Sequence, residues 1–151
     1  MNYCGIRFVG ITKIWRDIMD MIIYCSMFAY GICFGSFFNV LVYRIPLILN
    51  GFKITTFNES SKCPKCSTKI KFYFNIPVIG WFLLSGKCYD CKSKIDFKYP
   101  LFEFCWGVAF VSLYFMTNNV MRSIFYFLLI FLLITLLHVI FNYKQLKNKK
   151  N

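Results

Sequence analysis
Two cysteine pairs, Cys63-Pro64-Lys65-Cys66 and Cys88-Tyr89-Asp90-Cys91, constrain this chain more than any other feature. A CxxC turn aims two sulfurs at one point, and two such turns about twenty residues apart supply the four ligands of a tetrahedral thiolate site. Cys63, Cys66, Cys88 and Cys91 are therefore the expected metal ligands, with zinc as the ion. A redox dithiol pair and disulfides are the other readings of four cysteines. Two closely matched knuckles in a lysine-rich segment favour the metal, and disulfides would need an oxidising compartment. A tetrathiolate ion has no coordination position left for substrate, so the expected role of the metal is structural.

The rest of the chain is unusually apolar. Of its 151 residues, 58% are hydrophobic and 21% aromatic, where soluble domains are roughly 45–50% apolar. Met21 to Val42 carries no charge and is long enough to cross ~30 Å of hydrocarbon as a helix. Pro100 suits the first turn of a second span, which ends at Thr117-Asn118-Asn119. A third follows, bearing Thr135 and His138. The expected fold is an α-helical membrane protein with three transmembrane helices at 21–43, 100–117 and 122–142. A small cytosolic zinc-knuckle domain at 44–99 separates the first two. A mixed N-terminal arm, 1–20, has no signal-peptide cleavage pattern, and a basic tail covers 143–151.

Within this plan, Arg44 and Pro46 are expected to close the first helix. Turns are expected at Asn50-Gly51 and Asn58-Glu59-Ser60-Ser61. Phe72 to Leu84 is too short to span. It reads as the packed centre between the knuckles, or as a segment dipping into the membrane interface with Tyr73 and Trp81 as anchors. Gly31 and Gly35 form a GxxxG pair that allows close helix approach, within the chain or in a homodimer. Cys25, Cys33 and Cys105 read as small buried hydrophobes, as does Cys4.

The formal charge is +12. Most of it lies in 44–99 and in the tail, which three spans place on one side. The positive-inside rule makes that side cytosolic, in a multi-pass protein of the cell membrane. The cytosol is reducing, which keeps thiolates available for metal. Membrane lipid is the expected partner of this charge. Nucleic acid is not, because the aromatics lie in spans and do not interleave with an exposed basic face.

Several motifs occur in a fixed order. They are Gly35-Ser36-Phe37-Phe38-Asn39-Val40, Tyr43-Arg44-Ile45-Pro46, the first knuckle, Asn75-Ile76-Pro77, Gly86-Lys87-Cys88 with Cys91, and Tyr99-Pro100-Leu101-Phe102-Glu103. The set resembles the N-terminal part of type IV prepilin peptidases, over roughly residues 20 to 142. The resemblance implies a bifunctional membrane enzyme that removes leaders from prepilins and pseudopilins. It then N-methylates the new terminus with S-adenosylmethionine. The knuckle domain goes with methyl transfer, and the cleavage half uses two aspartates.

This chain departs from that pattern. Phe74 stands where the family has Asp before Asn-Ile-Pro. Asn142 stands where the first protease Asp is expected, and the later Gly-x-Gly-Asp segment is not among the 151 residues. Aspartyl proteolysis needs two carboxylates sharing one proton. The acids here are Asp17, Asp20, Glu59, Asp90, Asp96 and Glu103. None pair in a suitable membrane position, so peptidase activity is not expected from this chain alone, which reads as truncated before the aspartyl part.

Methyl transfer keeps two tentative catalytic candidates, Glu103 and Lys87. An ionisable residue inside a span is a functional candidate by default, and Glu103 lies where a pilin N-terminus would emerge from lipid. Its ordinary reading is a partner for Lys98 or Arg44. Gly86 and Lys87 match the family's Gly-Lys, with Gly86 as a tentative donor-binding position. Their ordinary reading is a solvated knuckle turn. His138 is expected to hydrogen-bond a neighbouring helix. The implied partners are a prepilin or pseudopilin substrate and a separate protease subunit or a homodimer. The alternatives to a methyltransferase part are a non-catalytic membrane zinc module and an inactive truncated product.

Overall fold
A computed structural model describes residues 3–51 and 61–148, with side chains described from residue 12 onward. The turn expected at Asn58-Glu59-Ser60, the side chain of Cys4, and Lys149 and Lys150 of the tail lie outside the described residues. The chain forms α1 (Tyr3–Leu49), α2 (Ile79–Leu83), α3 (Lys98–Thr117) and α4 (Val120–Asn148). Three of these, α1, α3 and α4, are long and apolar enough to cross a membrane. The protein is thus a helical membrane protein with its four-cysteine cluster between the first and second spans.

The α3–α4 turn follows from four polar residues. Asn118 takes the left-handed conformation that ends helices, φ 47°, and its N–H bonds Tyr114 O. Asn119 then caps α4, its Oδ1 accepting from Arg122 N at 3.1 Å. Thr117 and Ser123 join their hydroxyls across the turn at 2.8 Å. Beyond the turn, α1, α3 and α4 pack around Met27, Phe38, Trp106, Phe110, Phe127 and Phe131. Phe110 and Phe127 stack with centroids 4.1 Å apart. The GxxxG pair is spent inside the chain. A Cβ on Gly31 would stand 2.7 Å from Gly107 Cα, and one on Gly35 would stand 2.8 Å from Glu103 Cα. Only glycine permits that approach.

Two expectations need correction. Cys25, Cys33 and Cys105 are exposed on the helix surfaces. In a membrane helix an outward thiol meets lipid, so apolar character does not require a place in the protein core. The first helix also runs on through Pro46 to Leu49. Proline has no N–H, so the carbonyl of Val42 loses its helical donor. Asn142 of α4 supplies one, with Nδ2 3.3 Å from Val42 O. Membrane helices tolerate proline when a neighbour satisfies the freed group in this way. The end of α1 comes at the turn expected at Asn50-Gly51, where Asn50 donates from both N and Nδ2 to Pro46 O, at 3.1 and 2.8 Å.

This arrangement gives Asn142→Asp a definite outcome. An ionised carboxylate cannot donate to Val42 O and would set oxygen against oxygen. Melting in detergent is expected to fall by the equivalent of about 1–3 kcal/mol, the cost of an unsatisfied buried polar group. Asn142→Gln, which keeps a donor, should lose less. Equal stability of the Asp variant and the parent would show that the bond carries no weight.

Candidate metal centre and its surroundings
The four-cysteine cluster is built from two copies of one loop. In the first, Cys63 N bonds Thr68 O (3.0 Å), Ser67 N bonds Cys63 O (2.9 Å) and Ile70 N bonds Ser61 O (2.8 Å). Twenty-five positions later the same set recurs. Cys88 N bonds Ser93 O (2.8 Å), Lys92 N bonds Cys88 O (3.2 Å) and Ile95 N bonds Gly86 O (2.8 Å). Each loop is closed by a single antiparallel bridge, Lys62 with Lys69 and Lys87 with Lys94. Each turns on one left-handed residue, Ser67 (φ 59°) or Lys92 (φ 55°).

The two loops bring Cys63, Cys66, Cys88 and Cys91 together, with all four sulfurs within 4.8 Å of one another. Cys63 Sγ lies 3.8 Å from Cys91 Sγ, and Cys66 Sγ 3.9 Å from Cys88 Sγ. Four sulfurs each about 2.3 Å from one ion at tetrahedral angles stand about 3.8 Å apart. The donor set and its spacing therefore fit a single metal ion. The loop backbones prepare the thiolates. N–H groups of Cys66 and Lys65 lower the Cys63 thiol to about 6, and Ser93 lowers Cys91. The N–H groups of Asp90 and Cys91 also favour the Cys88 thiolate, yet desolvation and the neighbouring thiols push that group up to about 11.

Around the sulfurs stands a second set of residues. Thr68 Oγ1 lies 3.4 Å from Cys66 Sγ and donates to Asp90 Oδ2 at 2.7 Å, tying one knuckle to the other. Ser93 Oγ lies 3.2 Å from Cys91 Sγ. These residues were not singled out from sequence, although a signal existed. Lys62-Cys63 through Phe72 and Lys87-Cys88 through Phe97 repeat Lys-Cys-x-x-Cys-x-Thr/Ser-Lys-Ile-x-Phe.

The segment between the knuckles is partly core and partly surface. Trp81 is half-buried. Its Nε1 donates to Ile95 O at 3.1 Å, and its ring meets Phe97 at 5.3 Å. Gly86 has φ +65°, and a Cβ there would stand 2.6 Å from the Trp81 ring. Backbone conformation and that contact are reason enough for a glycine at this position. Lys87 lines a cleft of about 370 Å³ together with Phe74, Tyr89 and Lys92.

Glu103 lies elsewhere. It is buried on α3, where its Oε2 accepts from Val78 N at 2.6 Å and its carboxylate also bonds the Ser36 side chain. Val78 has φ 62°, a conformation costly for a β-branched residue, so the carboxylate holds a strained turn. Lys98, one ordinary partner expected for Glu103, pairs instead with Asp96 at 2.9 Å. Glu103 bonds Val78, just before α2, whereas Lys87 follows the other end of α2, its N bonding Leu84 O. His138 bonds no metal ligand. Its Nδ1 lies 3.2 Å from Ile134 O of its own helix, and its ring faces Phe38.

Comparison with known proteins adds the following. The family model described as the bacterial peptidase A24 N-terminal domain matches residues 29–117. The prepilin leader peptidase/N-methyltransferase of Klebsiella pneumoniae is 37% identical over 86 residues, 56% of this chain and 38% of that protein. The protein of the same name from Vibrio cholerae is 32% identical over 124 residues, 80% of this chain and 46% of its own. The type 4 prepilin-like proteins leader peptide-processing enzyme of Escherichia coli is 35% identical over 94 residues, 54% of this chain and 35% of its own. The chain thus spans less than half the length of these relatives. No solved structure matches it significantly.

Proposed function
The chain belongs to the bacterial peptidase A24 N-terminal domain family, and on that premise we propose that it is the metal-bearing membrane part of a prepilin-processing N-methyltransferase. The observation that carries the reading is the double knuckle, its four sulfurs within 4.8 Å of one another and set beside a cleft of about 370 Å³. In this proposal the ion is zinc and is structural. The three spans sit in the cytoplasmic membrane, with the knuckles and the C-terminal tail on the cytosolic side, as the distribution of lysines favours. Peptide cleavage is not assigned to these residues, because Glu103 is held by Val78 and Ser36 and Asn142 by Val42.

The lining of the cleft supports S-adenosylmethionine as the proposed donor. Phe74 and Tyr89 lie side by side with centroids 5.5 Å apart, aromatic surface for a purine, and Lys87 suits the donor's carboxylate, whereas Lys92 bonds Tyr89 O at 3.0 Å. Bound there, the donor would supply an electrophilic methyl group. The chain must supply position and a neutral amine. A pilin α-amino group titrates near ~8, so a fraction is already neutral at cellular pH and orientation supplies much of the rate. The Glu103 carboxylate is proposed to set the height of α2, and with it the cleft, through Val78. A proton-accepting role toward the substrate amine is the second role proposed for it. The alternative of a non-catalytic module pairing with a protease subunit remains a separate proposal. A homodimer through the GxxxG face gains no support, since α3 of the same chain covers Gly31 and Gly35.

The test uses the purified metal-loaded chain, S-adenosylmethionine and a pre-cleaved pilin peptide. Methyl incorporation is expected, reduced about tenfold or more in Lys87→Ala if one charged contact worth about 1.5–3 kcal/mol is lost. No incorporation with full metal content would remove the methyltransferase reading. Glu103 has its own discriminating pair of variants. Glu103→Gln keeps an acceptor for Val78 N and restores activity if the residue only positions the turn. It is as inactive as Glu103→Ala if the carboxylate takes the proton.

A further inference from the structure
We propose that residues Ile76 to Leu83 form a wedge that enters the leaflet on the knuckle side of the membrane, with an anionic lipid surface as its partner. Three independent observations converge on it. The first is place. The bond from Val78 N to Glu103 Oε2 ties the tip of this segment to the second turn of a membrane-crossing helix, against Gly35 of another. The wedge therefore starts beside the spans, at the beginning of α3.

The second is the face it presents. Ile79, Phe82 and Leu83 are 53%, 62% and 60% exposed. They occupy positions i, i+3 and i+4, one side of α2. The opposite side is packed, with Gly80 against the Phe74 carbonyl and Trp81 against Gly86. Ile76, ahead of α2, and Leu101 and Phe102 in the first turns of α3 are exposed as well.

The third is charge. Residues 72–86 contain no charged side chain, whereas residues 61–99 as a whole carry eight lysines against two aspartates. Lys71 and Lys87 bracket the uncharged run. An apolar stripe framed by lysines is how an interfacial segment meets anionic headgroups. The sequence pattern suggested Tyr73 and Trp81 as the anchors. The structure turns Trp81 into the knuckle domain and leaves Ile79 and Phe82 to face the lipid, while Leu83 stands at the edge of the cleft it lines with Lys87.

The test places a genetically encoded fluorescent amino acid at Phe82 of the full chain. The chain is reconstituted in nanodiscs of phosphatidylethanolamine and phosphatidylglycerol. A second label at Lys65, on the first knuckle, is the reference. Nitroxide on the upper acyl chain is expected to quench position 82 about threefold or more above the reference. Iodide in the water should show the reverse order. Equal iodide quenching at the two positions overturns the proposal. So does protection of position 82 from both quenchers, which would mean that protein covers the stripe. If the Phe82 variant loses its metal, the label at Ile79 gives the same reading.

Discussion

Cys88→Ser is expected to strip the chain of its metal and to unfold residues 61–97, while α1, α3 and α4 stay assembled. The reason is the small size of what holds the knuckles otherwise. Between residues 61 and 97 the regular structure amounts to two isolated bridges, a 3-10 turn at Phe72–Asn75 and the five residues of α2. Such a unit buries little apolar surface. A structural zinc contributes about 10–16 kcal/mol in apparent binding free energy, far more than the contacts of Trp81 with Ile95 and Phe97 can offer. A chelator should have the same effect on the parent chain. The metal must also compete with protons for the thiolates, so affinity falls as pH falls. Cys63, lowered to about 6 by the N–H groups of Cys66 and Lys65, contributes stability fully above the ordinary thiol value, and that share is lost as pH drops through about 6. Metal content and amide exchange across 61–97 check the expectation. A serine variant with one ion per chain and unchanged protection would show that the four sulfurs are not the site.

The pair Gly31→Leu and Gly35→Leu is expected to have the opposite signature. It should part α1 from α3 and leave the knuckles with their metal. The nearest atoms in the way are backbone, Gly107 Cα and Trp106 O for Gly31 and Glu103 Cα for Gly35, where the buried Trp106 side chain also stands. They cannot swing aside as a long side chain would. Overpacking costs about 1–3 kcal/mol per site, and here the helices must also give up the Phe28 and Ile32 contacts beside Gly107. The melting transition in detergent is expected to drop sharply while metal content holds. The Glu103–Val78 bond should weaken too, since Gly35 sets how closely α3 approaches. An unshifted transition would mean that the two helices do not meet on this face.

The clustering of Cys63, Cys66, Cys88 and Cys91 was legible in the chain because a metal demands donors at short, repeated spacing. The spans were legible because hydrocarbon demands length without charge. Pro46 was misleading. Its effect on α1 depends on whether Val42 finds another donor, and Asn142 is a hundred positions away. Gly86 was legible as a motif, but its reason, φ +65° against the Trp81 ring, was not. Ser36 and Val78 carried no pattern that tied them to Glu103. The eleven-residue echo between the two knuckles was visible in the letters and shows how Thr68 and Ser93 come to flank the sulfurs.

Taken alone, the order of residues settled that this is a helical membrane protein with one four-sulfur centre between its first two spans. Those properties arise from runs and spacings that neighbouring residues set by themselves. The tertiary structure decided which turn Glu103 holds, which carbonyl Asn142 meets and which side of α2 stays open. Each of these joins groups distant along the chain, and such a partnership exists only once close helix packing has brought its members within bonding reach.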